Sequence, residues 1–218
     1  MMETLITGVV LAGGQSRRMG ANKALLAVGR EKVIETIIGA MSAAVQDILI
    51  AANEHTADAY RELGREIACD RFPGQGPLSG IHAALHAVKT PWIIVAACDM
   101  PFVSPELFLF LRKIVAEEER LHAEEENVQA VIPLEDGRAQ PLLAAYHISA
   151  LPELEDALHA GRLRMTDWLN MLRVRYIAEE TLLQETGIDA GHVFFNMNRP
   201  EDYRTAVEKQ GDGEAGGC

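Results

Sequence analysis

Two stretches of the chain carry residue types that do chemistry at useful spacing. In Val9 to Leu26, "VVLAGGQSRRMGANKALL", an apolar run breaks at Gly13-Gly14 and passes into Gln15, Ser16, Arg17 and Arg18, with Gly20 and Lys23 behind. Consecutive glycines let a backbone turn sharply and present its N–H groups without a Cβ in the way, and the arginines and the flexible lysine add charge suited to phosphate oxygens. The pattern is not a P-loop, because no Gly-Lys-Ser/Thr is present, and its glycine spacing is not the dinucleotide fingerprint. A solvated basic turn is the plainer alternative. The second stretch, "WIIVAACDMPF", ends an apolar run at Asp99. A carboxylate there suits Mg²⁺, a hard cation that takes few protein ligands and fills its shell with phosphate and water. Equally, Asp before x-Pro starts a turn.

These residues become a site only if the elements carrying them meet. Ile6–Ala12, Asp47–Ala52, Ile67–Cys69, Trp92–Cys98, Val128–Leu134, Val174–Ala178 and Val193–Met197 are short apolar runs that predict strands. Between them, Lys32–Val45 has helical spacing, a second helix starts near Ser79, and a third opens at Ser104-Pro105 with a cap and a first-turn proline. Alternation of strand and helix predicts an α/β domain with a mostly parallel sheet. Ligands of such sheets sit at the carboxyl ends of the strands, where the glycine loop and Asp99 both fall. Asn53 and Asp70 follow two more strands and reach the same edge, or simply begin turns.

A length of 218 residues and 48% hydrophobic content fit one domain, expected over 1–209, with a nucleotide-binding half to about 103, a second half over 104–209 and an unstructured tail at 210–218. A net charge of -12 argues against nucleic acid as the main partner. Three cysteines without metal or disulfide spacing, an acidic N-terminus and no long apolar span predict a cytoplasmic protein off the membrane. The acids of "AEEERLHAEEEN" read as a solvated helix face. His82 and His86 are four apart on the second helix, but no third ligand accompanies them at suitable spacing, so the pair is not read as a zinc site.

The string L-A-G-G-x-S-x-R-M-G-x-x-K-A-L-L resembles the signature of nucleotidyltransferases that process molybdenum cofactor, most closely the molybdenum cofactor guanylyltransferases. C-D-x-P around Asp99, P-L-x-G-I from Pro77, Q-P-L-x-A-x-Y from Gln140 and F-x-N-x-N-x-P-E-D from Phe194 extend the resemblance along most of the chain. Asn22 and Arg199 depart from it, standing where relatives carry Asp and Thr.

The resemblance implies a three-layer α/β/α, Rossmann-like nucleotidyltransferase fold. It also implies transfer of GMP from GTP to molybdenum-bearing molybdopterin, with release of pyrophosphate. Leu11, Ala12, Gly13, Gly14, Lys23, Asn53, Asp70 and Asp99 would then bind GTP, with Asp99, Lys23 and Arg18 in the catalytic role and Mg²⁺ on Asp99. Gln140, Pro141 and Asn198 would face the pterin, and proteins that deliver the pterin or receive the product would be partners. Arg162 and Arg164, in a glycine-led loop, suit a second anion, though local salt bridges would use them as well. Within the same resemblance stand a cytidylyltransferase for the same pterin and a sugar-phosphate nucleotidyltransferase; Gly13-Gly14 after Ala12 favours the guanylyl branch. A non-catalytic carrier of nucleotide or pterin is the alternative from another class.

Overall fold

The structure is a computed structural model that describes residues 4–14, 22–121 and 127–215. The chain begins with β1 (Ile6–Leu11), a small hairpin of β2 (Ala27–Val28) and β3 (Glu31–Lys32), and α1 (Val33–Met41). Next come β4 (Asp47–Ala52), a 3₁₀ segment (Ala57–Leu63), β5 (Glu66–Cys69), α2 (Pro77–Ala87), β6 (Trp92–Ala97) and α3 (Pro105–Leu121). The second half holds β7 (Ala130–Glu135), β8 (Arg138–Ala139), β9 (Leu143–His147), α4 (Leu151–His159) and α5 (Met165–Leu169). It closes with β10 (Val174–Ile177), α6 (Glu179–Thr186), α7 (Ala190–Val193) and α8 (Pro200–Ala215).

One sheet runs through both halves in the order β10-β7-β9-β6-β1-β4-β5, with β8 paired to β7. β6, β1, β4 and β5 are mutually parallel, β10 is parallel to β7, and β9 alone runs against both neighbours in the main path. The parallel strands are apolar on both faces because helices cover both. Along β6, Trp92, Ile94 and Ala96 enter one core with α1 and α3, while Ile93 and Val95 enter the other with α2 and α4. This is the three-layer α/β/α arrangement. Among the described residues no helix is long and apolar enough to cross a membrane.

The structure departs from the sequence reading in several places. Val193–Met197 is not a strand: Asp189 caps α7 by accepting from Gly191 N, and Phe194 and Met197 are buried in irregular chain beyond it. A short apolar run signals burial without fixing the conformation that achieves it. Leu143–His147, absent from the predicted strands, is the reversed strand β9. α8 continues to Ala215, beyond the point where low apolar content predicts order to stop. It leans on the hairpin, with Tyr203 Oη donating to Ala27 O at 2.9 Å. The acidic run is not simply a solvated face either: Glu119 accepts from the Trp92 indole at 2.7 Å, and buried Glu118 takes the Arg175 guanidinium, as does Glu117 at 3.4 Å.

Candidate active site

The chain runs from β1 outward through β4 and β5, then returns to β6 on the other side of β1. The chain leaves β1 toward β4 and leaves β6 toward β7, in opposite directions across the sheet, and this switch point opens a crevice at the carboxyl edge, the usual ligand position in such sheets. A cleft of about 530 Å³ lies there, bordered by Gly13, Lys23, Asn53, Asp70 and Asp99, with Leu142 on its β9 side.

Its floor is a backbone held by side chains. Asn53 Nδ2 donates to Gly13 O at 2.6 Å, while its Oδ1 accepts from His55 N and Thr56 N at 2.9 and 3.0 Å. Asn53 thus fixes the glycine turn and starts the next segment with one side chain. On the 3₁₀ segment, the fully buried Tyr60 donates its hydroxyl to Ala12 O at 3.1 Å and accepts from Asn22 Nδ2 at 2.8 Å. Asn22 Oδ1 in turn accepts from Ala24 N at 3.1 Å. The Asn22 departure therefore has a structural use here, tying the return of the loop to its departure point. Burial pushes the Tyr60 hydroxyl up to about 12, so it remains a donor throughout the physiological range.

Lys23 and Asp99 face each other with Nζ and Oδ2 3.6 Å apart, and Lys23 Nζ also donates to Asn198 Oδ1 at 3.0 Å. Asn198 arrives because Met197 N donates to Asp99 O at 2.8 Å, pinning the distant segment beside the end of β6. Burial raises the Asp99 carboxyl above its ordinary range, and the Lys23 ammonium opposes that shift. Asp99 Oδ1 is buried with no hydrogen-bond partner among the described residues. An unsatisfied buried carboxylate oxygen beside an amide oxygen is a donor set for a hard divalent cation, so these residues fit Mg²⁺. Cys98, next in the lining, is a different matter: burial and the Asp99 charge push its thiol up to about 12, which excludes a ready thiolate nucleophile.

On the other wall, Asp70 has its Oδ1 buried and without a partner among the described residues, and burial raises its carboxyl to about 6. A Cβ at Gly13 would stand 3.4 Å from Asp70 Oδ2, so glycine leaves that oxygen open to the cleft. The segment from Asp70 to α2 bends through Gly74 and Gly76 at φ +80° and +71°, conformations that favour glycine. Gly76 precedes Pro77 at the start of α2, whose first-turn N–H groups add positive potential at the cleft.

Seven of the sequence-predicted residues, Leu11, Gly13, Gly14, Lys23, Asn53, Asp70 and Asp99, line this cleft. Ala12 lies behind it as the acceptor for Tyr60, and Asn198 joins it through Lys23. Arg18 lies outside the described residues. Gln140 donates to Glu135 Oε2 at 2.7 Å and Pro141 O accepts from Tyr146 Oη at 2.7 Å, which sets both at the turn leading to Leu142. Arg162 and Arg164 are exposed and do not line the cleft. Sequence reasoning missed Tyr60, His55 and Leu142. Tyr60 had no local signal, since its function depends on a carbonyl 48 residues away.

A glycine-floored crevice at a parallel sheet edge, closed by a lysine and carboxylate and with no activated nucleophile among the described residues, defines a nucleotidyltransferase of the α/β type. Comparison with known proteins narrows the class. The model of the MobA-like NTP transferase domain matches residues 8–175. A protein of Pelotomaculum thermopropionicum named "Probable molybdenum cofactor guanylyltransferase" is 36% identical over 196 residues, covering 90% of this chain and 89% of its own. One of the same name from Geobacillus sp. is 32% identical and covers 93% of this chain and 98% of its own. Among solved structures, molybdopterin-guanine dinucleotide biosynthesis protein A from Archaeoglobus fulgidus superposes with a TM-score of 0.78 at 32% identity, covering 94% of this chain and 99% of that one. The chain belongs to the MobA-like NTP transferase family.

Proposed function

We propose that the protein transfers GMP from GTP to molybdenum-bearing molybdopterin, forming the guanine dinucleotide cofactor and pyrophosphate. The observation that carries this reading is the pairing of two carboxylates, Asp70 and Asp99, each with one buried oxygen that has no partner among the described residues, on opposite walls of one cleft in a chain of this family. Guanine offers adjacent N1–H and N2–H donors that match a carboxylate, so Asp70 accepts the base edge. The glycine turn and the start of α2 supply N–H groups to the phosphates, and Lys23 adds a cation between the triphosphate and Asp99.

Asp99, with Asn198 beside it, would hold Mg²⁺, which when bound neutralises charge on the phosphate oxygens. The acceptor's phosphate oxygen attacks the α-phosphorus in line and pyrophosphate leaves, a reaction that needs position and charge more than a protein nucleophile. The protonated Cys98 thiol agrees with that economy. Lys23 holds the phosphates, and the Asn53 and Tyr60 bonds keep the turn beneath them from relaxing. Gln140 and Pro141 border the acceptor's end through Leu142, while Arg162 and Arg164 have no part in this reading.

The test supplies the purified protein with molybdenum-loaded molybdopterin, Mg²⁺ and either GTP or CTP labelled at the α-phosphate. Label passing from GTP to the pterin, with pyrophosphate released in equal amount, is the expected result. Transfer from CTP instead moves the protein to the cytidylyl branch. Nucleotide and pterin binding without transfer makes it a carrier.

A further inference from the structure

The helix α2 behind the cleft carries a second cluster of ligating side chains. His82 and His86, one turn apart on one helix face, are met by Glu155 from α4, 69 residues beyond His86. Glu155 supplies the third ligand that the sequence does not reveal. Glu155 Oε1 lies 2.9 Å from His86 Nε2 and 3.5 Å from His82 Nε2, and the three ligand atoms fall within 4.8 Å of one another. None of the three residues lines the nucleotide cleft.

His82 is only 2% exposed, and neither of its ring nitrogens makes a hydrogen bond. Leaving both nitrogens of a buried imidazole without partners is costly. The ring is held in place by the edge of Phe72 at 4.9 Å between centroids and by His86 at 4.5 Å. A hydrogen bond between His86 and Glu155 satisfies the outer half of the cluster and leaves His82 Nε2 with only the more distant approach of Glu155 Oε1 at 3.5 Å. One divalent cation among the three would take His82 Nε2 as a ligand together with His86 Nε2 and the Glu155 carboxylate.

We propose that His82, His86 and Glu155 bind a divalent transition-metal ion of the Zn²⁺ type, joining α2 to α4. Tetrahedral coordination with bonds of about 2.0–2.1 Å sets ligand atoms roughly 3.3 Å apart, within a few tenths of an ångström of the two separations to Glu155. Two imidazoles and one carboxylate select Zn²⁺ over Mg²⁺ or Ca²⁺, which prefer oxygen. Three protein ligands leave a fourth position for water. Of the charged neighbours, Glu155 attracts the cation and Arg71 opposes it. Ligation takes each imidazole with a free lone pair at its ligating nitrogen, so acid competes with the ion. Its place is structural: His82 follows Gly80 at the cleft wall and touches Phe72, in the segment that carries Gly74 and Gly76.

The test uses the chelator-treated full chain with Cys69→Ser and Cys218→Ser, which removes the exposed Cys69 thiol and the thiol of the last residue, and titrates it with Zn²⁺ in the absence of nucleotide. One equivalent should bind and raise Tm. His86→Gln and Glu155→Gln, both at solvent-accessible positions, should each weaken binding by at least tenfold and abolish the Tm rise. X-ray absorption at the zinc edge of the unsubstituted cluster should show two imidazoles and no sulfur, which decides the matter even if a variant folds poorly. No stoichiometric binding, affinity unchanged in both variants, or an absorption spectrum without paired imidazoles overturns the proposal.

Discussion

Asp70→Asn removes a carboxylate that the fold holds ionised at a cost. Burial raises this group from 3.8 to about 6, and a shift of roughly two units corresponds to at most about 3 kcal/mol between its protonation states, which solvent reaching the half-buried carboxyl reduces. The folded state binds the proton more tightly than the unfolded state. The group's stabilising contribution is therefore complete below about pH 4 and is lost as pH rises through about 6. Asn carries no such dependence, so the variant should match the native protein at pH 4 and exceed it at pH 8. After allowing for solvent screening and for burial of the Asn amide, about 1 kcal/mol should remain, which in a chain of this size raises Tm by about 2–4 °C. Binding should move the other way. Losing a charged acceptor to the guanine edge is worth about 1.5–3 kcal/mol, so GTP affinity should fall by about 10- to 150-fold, and native affinity should itself weaken below pH 6. Calorimetric unfolding at pH 4 and 8, with GTP titrations at both, measures every quantity. A variant no more stable than the native protein at pH 8 refutes the burial argument, and unchanged GTP affinity refutes the assignment of the base.

Asp99→Ala should lower kcat for guanylyl transfer by at least 10²–10³-fold while the thermal midpoint stays within a few degrees of native, because the lost group is a buried carboxylate with one unsatisfied oxygen. Steady-state kinetics beside a melting curve separates this from misfolding. Asn53→Ala removes the bond to Gly13 O and the cap on His55 and Thr56, and should cost about 1–2 kcal/mol in urea unfolding and raise KM for GTP more than it lowers kcat. Tyr60→Phe keeps the ring and strands Ala12 O and the Asn22 amide, so a similar loss of about 1–2 kcal/mol is expected, with weaker GTP binding by calorimetry.

The strands that carry the site were legible because their signals are local. β1, β4 and β6 are apolar runs that stop at turn residues, and Gly13, Asn53, Asp70 and Asp99 stand at or just beyond strand ends whatever the order of the strands. In a parallel sheet all those ends share one edge, so the candidate cleft followed from alternation alone. The α/β class and the family resemblance rested on the same short-range patterns. What lay beyond them was every pairing set by the register of the sheet or the packing of helices. Lys23 meets Asn198 across 175 residues, Arg175 reaches Glu118 across 57, and His86 finds Glu155 across 69. β9 reverses beside β6, and Val193–Met197 buries its apolar side chains without becoming a strand, because hydrophobicity sets burial while the neighbours available set the conformation. A sequence specifies its own turns and periodicities. Which distant polar atoms satisfy one another is decided only when the closed core leaves each of them a single partner within reach.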